Sequence, residues 1–235
     1  MKLSYDLHIH SCLSPCADND MTPNNIVNMS LIKGLDIIAV CDHNSCGNIR
    51  AVTEAAAGRI SVVPALEVET SEEVHVVCYF PDIPSAEKMW ECVRSSMPKI
   101  DNNAEIFGNQ YYMDSEDNIT GEENVLLVNA SGMDIYEVFS AAKKFGGAAV
   151  PAHIDRSSYS VLSNLGFIPP DLDIKSVEIT AANLEKMQAD YAHMNILTNS
   201  DAHYLENISE AENYINLTSK TPKDLIDFLC KTEVK

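Results

Sequence analysis

Positive charge is scarce in this sequence: 16 Lys and Arg stand against 35 Asp and Glu, a formal net charge of −19 over 235 residues. Such a chain repels long polyanions, and it has no basic run to make the many phosphate contacts on which nucleic-acid affinity rests. Long apolar runs are missing as well. No stretch approaches the roughly 18 to 20 apolar residues of a membrane span. The opening Met1-Lys2-Leu3-Ser4-Tyr5 leads into polar residues without the apolar core of a signal peptide. A cytoplasmic protein with no membrane partner is expected. CxxC pairs are absent, and the seven cysteines (12, 16, 41, 46, 78, 92 and 230) are an odd number, which favours reduced thiols over a disulfide framework. Most of them suit small apolar packing positions. Gly and Pro are few, at 9 and 10, and 46% of residues are hydrophobic, so a compact fold of regular elements is expected. The length suits one domain over 1–235. Nothing in the sequence sets an oligomeric state.

Short apolar runs at 37–40, 61–65, 74–79, 148–152, 176–179 and 195–198 mostly lack polar alternation, as strands covered on both faces do. Helical patterns lie between them at 23–33, 48–57, 85–97, 133–145 and 222–231. Thr22-Pro23 and Thr221-Pro222 both read as helix starts, and Gly34 as a stop. The alternation predicts an α/β fold with parallel strands. The stretch at about 100–129 is acidic and turn-rich, and reads as an insertion or lid, or else as a solvated connection.

In parallel α/β folds functional groups gather at the carboxyl ends of strands. His8 and His10 end the first short strand, Tyr5-Asp6-Leu7, and lie two residues apart, hence on one side of an extended chain. His43 follows the strand ending at Cys41, Glu67 follows the one through Leu66, and His75 opens the next. His153 follows Pro151-Ala152, while Asp201 and His203 follow Leu197-Thr198. Only His193, in a predicted helix at 183–194, lacks such a placement and reads as an ordinary surface or core residue. Imidazoles with carboxylates and no obligatory thiolate suit zinc, manganese or iron. A multinuclear metal-dependent hydrolase is expected.

The ordered segments Asp6-Leu7-His8-Ile9-His10-Ser11, Cys41-Asp42-His43-Asn44, Leu66-Glu67-Val68-Glu69, His75-Val76-Val77-Cys78, Pro151-Ala152-His153 and Ser200-Asp201-Ala202-His203 resemble the successive motifs of the PHP (polymerase and histidinol phosphatase) superfamily. The resemblance runs from about residue 3 to 205. It implies a distorted (β/α)7 TIM-like barrel with two or three divalent ions in its mouth, acting on phosphate esters. It further implies that His8, His10, Glu67 and Asp201 hold one ion, that Glu67 bridges to a second held by His75 and His153, and that His43 and His203 hold a third. A carboxylate suits the bridging role because it has two oxygens to share. The family's further ligand to the third ion is an Asp or His in the loop after the HxH motif. Here Ser14-Pro15-Cys16-Ala17 stands in that place, leaving Cys16, Asp18, Asp20 or no protein group to complete the site.

Other side chains carry two readings each. Asp42 orients an imidazole or caps the following helix. Glu69 is a solvated strand end or a second inward carboxylate. Arg156 grips a substrate phosphate or pairs with Asp155 or another of the many acids. With the metals activating water for in-line attack, Asp201 and His203 would handle protons and Arg156 the phosphoryl charge. The substrate expected is a small phosphorylated molecule, such as a nucleotide or sugar phosphate, and not long nucleic acid. Very short oligonucleotides, a histidinol-phosphatase-like reaction and a non-catalytic metal-stabilised domain are the alternatives.

Overall fold

The computed structural model of the protein describes residues 1–232, so the last three residues of the expected single domain lie outside it. The chain runs β1 (Lys2–Ile9), α1 (Pro23–Ile32), β2 (Ile37–Val40), α2 (Ile49–Ala56), β3 (Ser61–Glu69), β4 (His75–Tyr79) and α3 (Ile83–Ser96). A short α4 (Ala104–Phe107) and a hairpin of β5 (Tyr111–Met113) and β6 (Ile119–Glu122) follow. Then come α5 (Ile135–Lys144), β7 (Ala148–Pro151), α6 (Val161–Asn164), β8 (Ser176–Glu178), α7 (Leu184–Met187), β9 (Asn195–Leu197), β10 (Tyr214–Asn216) and α8 (Pro222–Leu229). The predicted Thr-Pro starts form as read: Thr22 and Thr221 accept from the backbone N–H of the third residue of α1 and α8, Asn25 and Asp224, with proline as the first residue of each. Among the described residues no helix is long and apolar enough to cross a membrane.

Six strands form one sheet in the order β10-β1-β2-β3-β4-β7. Strands β1, β2 and β3 are parallel, whereas β4 runs against both β3 and β7, and β10 against β1. This corrects the expectation of parallel strands throughout. Only residues 70–74 join β3 to β4, closed by Thr70 N–H donating to Val74 C=O at 2.9 Å, and a connection that short cannot carry a crossover helix. The parallel pair β8–β9 continues the wall from β7 through Ile154 N–H to Glu178 C=O. It returns to β1 through Leu7 N–H to the Asn199 carboxamide and His10 N–H to Ala202 C=O. The result is a mixed α/β fold with a curled, half-barrel sheet of the TIM-like kind, whose strand pairing departs from a regular (β/α)7 repeat.

Residue parity explains which side chains face the mouth. Ile37, Ala39 and Cys41 of the β2 segment, Val63 and Ala65 of β3, and Val77 and Tyr79 of β4 share the inner core cluster, capped by Leu225, Ile226 and Leu229 of α8. Continuing that parity places His43, Glu67, Glu69 and His75 inward. In β1 the inner residues are Leu3, Tyr5 and Leu7, which would turn His8 and His10 outward. A register irregularity between Asp6 and Ile9 reverses the parity, and Ile9 packs in the outer cluster instead. Past β7 the inner residues are Val150 and Ala152, and His153 turns in through a left-handed backbone, φ 28°.

One further expectation changes. The predicted helix at 183–194 forms only over Leu184–Met187. None of Leu184, Met187, Tyr191 or Met194 is fully buried, so no packed stripe sustains further turns. His193 on this stretch is exposed. The 100–129 stretch is fastened to the body. Asn48 brackets Tyr111 and Met113 with its carboxamide (3.0 and 2.9 Å), and Asn44 donates to the Leu127 and Asn129 carbonyls.

Candidate metal centre

The mouth of the half-barrel gathers His8, His10, His43, Glu67, His75, His153, Asp201 and His203. Glu67 is the hub. Its Oε1 lies 3.0 Å from His75 Nδ1, 3.3 Å from His8 Nε2 and 3.5 Å from His153 Nε2, and its Oε2 lies 3.0 Å from His43 Nδ1 and 3.5 Å from His10 Nε2. Asp201 Oδ1 adds a second carboxylate, 3.1 Å from His10 Nε2 and 3.4 Å from His8 Nε2. Asp201 itself holds a left-handed backbone (φ 51°), a strained conformation of the sort that clusters at functional sites. Donor atoms converge in three overlapping groups: His8, His10 and Asp201; His43, Glu67 and His75; and His10, His43 and His203. His43 thus belongs with Glu67 and His75 as well as with His203.

The outer nitrogens are tied, which turns lone pairs inward. His8 Nδ1 donates to Glu178 (3.0 Å) and His203 Nδ1 to the Asp201 carbonyl (2.9 Å). Asp42 takes the hydroxyl protons of Ser11 and Ser14 (2.6 and 2.8 Å), so Ser14 Oγ accepts from His10 Nδ1 (2.9 Å). Each of these rings therefore presents Nε2 to the centre. His8 Nε2 and His10 Nε2 face each other at 3.2 Å.

Charge follows the same geometry. Burial pushes the Glu67 carboxyl up, but His75, His8 and His43 hold it well below the usual carboxylate range, and His8 and His10 do the same for Asp201. Burial lowers His8, but Glu178, Asp201 and Glu67 outweigh it and raise the ring well above 6.5, while burial with the charges of His203 and His43 drives His10 well below. Several buried polar atoms find no hydrogen-bond partner: both oxygens of Glu67, both ring nitrogens of His153 and Nδ1 of His43. Orphaned groups cost free energy unless something binds them. A cluster of imidazoles and carboxylates with unpaired buried donors fits divalent cations.

Three readings sharpen. Asp42 does not cap α2, whose N-cap is Asn48; it acts on His10 through Ser14. Glu69 is no solvated strand end. It is buried, and its Oε2 stands 3.6 Å from His75 Nε2. Arg156 pairs with Asp201 Oδ2 at 2.6 Å, while Asp155 accepts from Thr180 and Asn183 instead. Sequence reasoning missed Glu178, which orients His8 and also accepts from His153 N–H and Asn199. Its signal was a lone carboxylate inside the apolar strand Ser176-Val177-Glu178-Ile179. It also missed Tyr159, whose ring stacks on His75 with centroids 5.0 Å apart. Cys16 lies at the rim against the His43 and His203 rings. Desolvation there pushes its thiol up, but hydrogen bonds and charge from His203 and His43 bring it down to about 6.

No protein-family model matches the chain. Over 81 residues it is 31% identical to a 5′-3′ exoribonuclease of Haemophilus influenzae, a match spanning 33% of this chain and 28% of the relative. Among solved structures, the lesion-specific endonuclease PfuEndoQ from Pyrococcus furiosus superposes with a TM-score of 0.70 at 18% identity, over 98% of this chain and 56% of that one. A protein from Bifidobacterium adolescentis described as a metal-dependent phosphoesterase gives 0.59 at 16% identity, over 96% and 95% of the two chains. A two-domain protein from Bacteroides vulgatus, described as containing a predicted PHP-like metal-dependent phosphoesterase, gives 0.57 at 15%, over 98% and 63%. At these identities the likeness is one of fold.

Proposed function

We propose that this chain, which carries the fold and the ordered motif set of the PHP superfamily, is a metal-dependent phosphoesterase hydrolysing a small phosphorylated substrate such as a nucleotide or sugar phosphate. The observation that carries the reading is the convergence of six imidazoles on Glu67 and Asp201, with both Glu67 oxygens, both His153 ring nitrogens and His43 Nδ1 buried and unpaired. His8, His10, Glu67 and Asp201 would hold one divalent ion, His75 and His153 a second shared through Glu67, and His43 and His203 a third. Zinc, manganese or iron bound there would supply Lewis acidity and make a water nucleophilic near neutral pH.

The protein's own groups do the rest. Glu178, Ser14 and the Asp201 carbonyl lock the rings, so no reorientation is needed when charge develops. Arg156 is half-exposed at the mouth with one nitrogen on Asp201, leaving the remaining guanidinium donors for phosphoryl oxygens. His203 and Asp201 handle the protons exchanged with the attacking water and the leaving alcohol. A polar cavity of about 330 Å³, bordered by His153, Arg156 and Asp201 and reaching Asn207 and Asn213, has room for the organic part of a small ester. Two larger clefts, of about 740 and 550 Å³, lie around residues 166–175 and contain none of the clustered residues.

A second reading is a nuclease. It is favoured by the likeness to endonuclease Q, solved elsewhere with a 27-mer duplex bearing an abasic lesion at its active site, and by the exoribonuclease match. The net charge of −19 weighs against long duplexes. Turnover of the metal-loaded protein on nucleotide 3′-phosphates and sugar phosphates, set beside a dinucleotide and an abasic duplex, separates the two. Preference for the monophosphates supports the first reading, and preference for the duplex overturns it.

A further inference from the structure

We infer that the Tyr159 ring is a stacking platform for a flat aromatic group of the substrate, so that the site takes nucleoside phosphates in preference to sugar phosphates that lack a base. The inference rests on the phosphoesterase reading above and names the substrate class within it.

Tyr159 stacks on His75, with ring centroids 5.0 Å apart and planes 25° from parallel. One face of the ring is thereby covered by a residue of the clustered histidines. The ring is 46% exposed, so its other face lies open at the mouth. The Tyr159 backbone is left-handed, φ 55°, a region that favours Gly or Asn and disfavours a bulky side chain. Such a conformation persists where neighbouring contacts over-determine it, and it clusters at functional sites.

Those contacts are present. His75 N–H donates to the Tyr159 carbonyl at 3.0 Å. The next residue, Ser160, is buried, caps α6 and donates through Oγ to the Arg156 carbonyl at 2.7 Å. From α6, Asn164 donates to the Glu72 and Glu73 carbonyls at 2.9 Å, which ties this loop to the turn before His75. The ring is held at the mouth by backbone on both sides.

The loop 153–160 thus presents three groups of different chemistry. His153 faces Glu67, Arg156 holds Asp201, and Tyr159 covers His75. A phosphate at the cluster and Arg156 would have an aromatic ledge on its His75 side. The polar cavity on the Asp201 side, which reaches Asn207 and Asn213, does not include Tyr159 and is lined by no aromatic carbocycle. Stacking asks only for a π face, which every nucleobase has and a sugar lacks. It also needs no added positive charge, of which this chain has little.

Adenosine 5′-phosphate and ribose 5-phosphate carry the same ester and differ in the base alone, which makes them the test pair. With the metal-loaded full chain, kcat/KM should be higher on the nucleotide. Tyr159→Ala should lower it about 5- to 150-fold on the nucleotide, mainly through KM, the scale of one base–aromatic stack. Ribose 5-phosphate should be turned over as before, and Tyr159→Phe, which keeps the π face, should keep the nucleotide's advantage. Metal content should be equal in all three proteins. An equal loss on both substrates, or a loss of metal in Tyr159→Ala, shows a ring that only braces His75 and overturns the platform while leaving the phosphoesterase standing. Unmutated protein with no preference for the nucleotide overturns it in the same way. Absence of metal-dependent turnover on any phosphoester overturns the underlying reading as well.

Discussion

Glu178 holds the outer edge of His8 with both carboxylate oxygens, at 3.0 and 3.2 Å from Nδ1, and both side chains are buried. The same carboxylate accepts from His153 N–H at 3.2 Å and from Asn199 at 2.7 Å, so one group aligns histidines from two parts of the sheet. Glu178→Gln keeps the shape and removes the charge. Metal affinity, measured by competition with a chelator, is expected to fall about 10- to 100-fold with the circular dichroism spectrum retained. Unchanged affinity would show that the contact is only structural.

Ser14 links Asp42, His10 and the His43 backbone in a fully buried cluster. Ser14→Ala leaves Asp42 one donor short and His10 Nδ1–H without an acceptor. Unmet buried groups cost about 1–3 kcal/mol each, so a lower denaturation midpoint is expected, together with weaker metal binding. A midpoint equal to that of the unmutated protein would contradict the relay.

Much of this site was legible in the sequence because metal ligation is chemically selective. His43, Glu67 and His75 stand where their strands' inner parity continues into the mouth, so position and chemistry pointed the same way. His8, His10 and His153 were recognised by type, but their inward direction comes from a register shift in β1 and a left-handed backbone at His153, which parity alone does not reveal. Glu178 was hidden because its strand is short and its partners lie far away in sequence. The reversed strand β4 was missed because apolar runs carry no direction; only the short loop at 70–74 does. For Cys16 the departure from the family pattern was visible, and the contacts with His43 and His203 were not.

In the proposed reading Arg156, paired with Asp201 at the mouth, meets a phosphoryl group and ligates no metal. Arg156→Ala is therefore expected to lower kcat/KM on phosphate monoesters by about 10²-fold, the scale for loss of one preorganised donor, while metal content stays constant. Lysine should restore only part of the loss, because it cannot contact two oxygens with a planar fork. Steady-state kinetics with metal analysis on the same samples checks both points.

Metal uptake should release protons. In the metal-free protein burial works to lower His8, His43 and His75, but Glu67 and, for His8, Glu178 raise them above their unfolded value of about 6.5. Those pairs stabilise the fold fully below that value and are lost as pH rises through the raised folded values. Glu67 and Asp201, depressed against burial by the same histidines, give stability that is lost as pH falls through their lowered values. Metal-free protein should thus lose thermal stability from neutral toward alkaline pH, while metal affinity rises over the same window as protons leave the imidazoles. Calorimetric titration in two buffers of different ionisation enthalpy measures the protons released. Equal heats in both buffers would contradict the charge assignment.

The central claim is that Glu67 joins the histidines into a catalytic metal cluster. It is tested most directly by metal content and p-nitrophenyl phosphate hydrolysis measured together, for the unmutated protein and for Glu67→Gln. Two or three tightly bound divalent ions are expected in the unmutated protein, with hydrolysis abolished by chelation and restored by metal, and Glu67→Gln should lose both metal and turnover. Metal bound in full with no metal-dependent hydrolysis of any phosphoester would contradict the account.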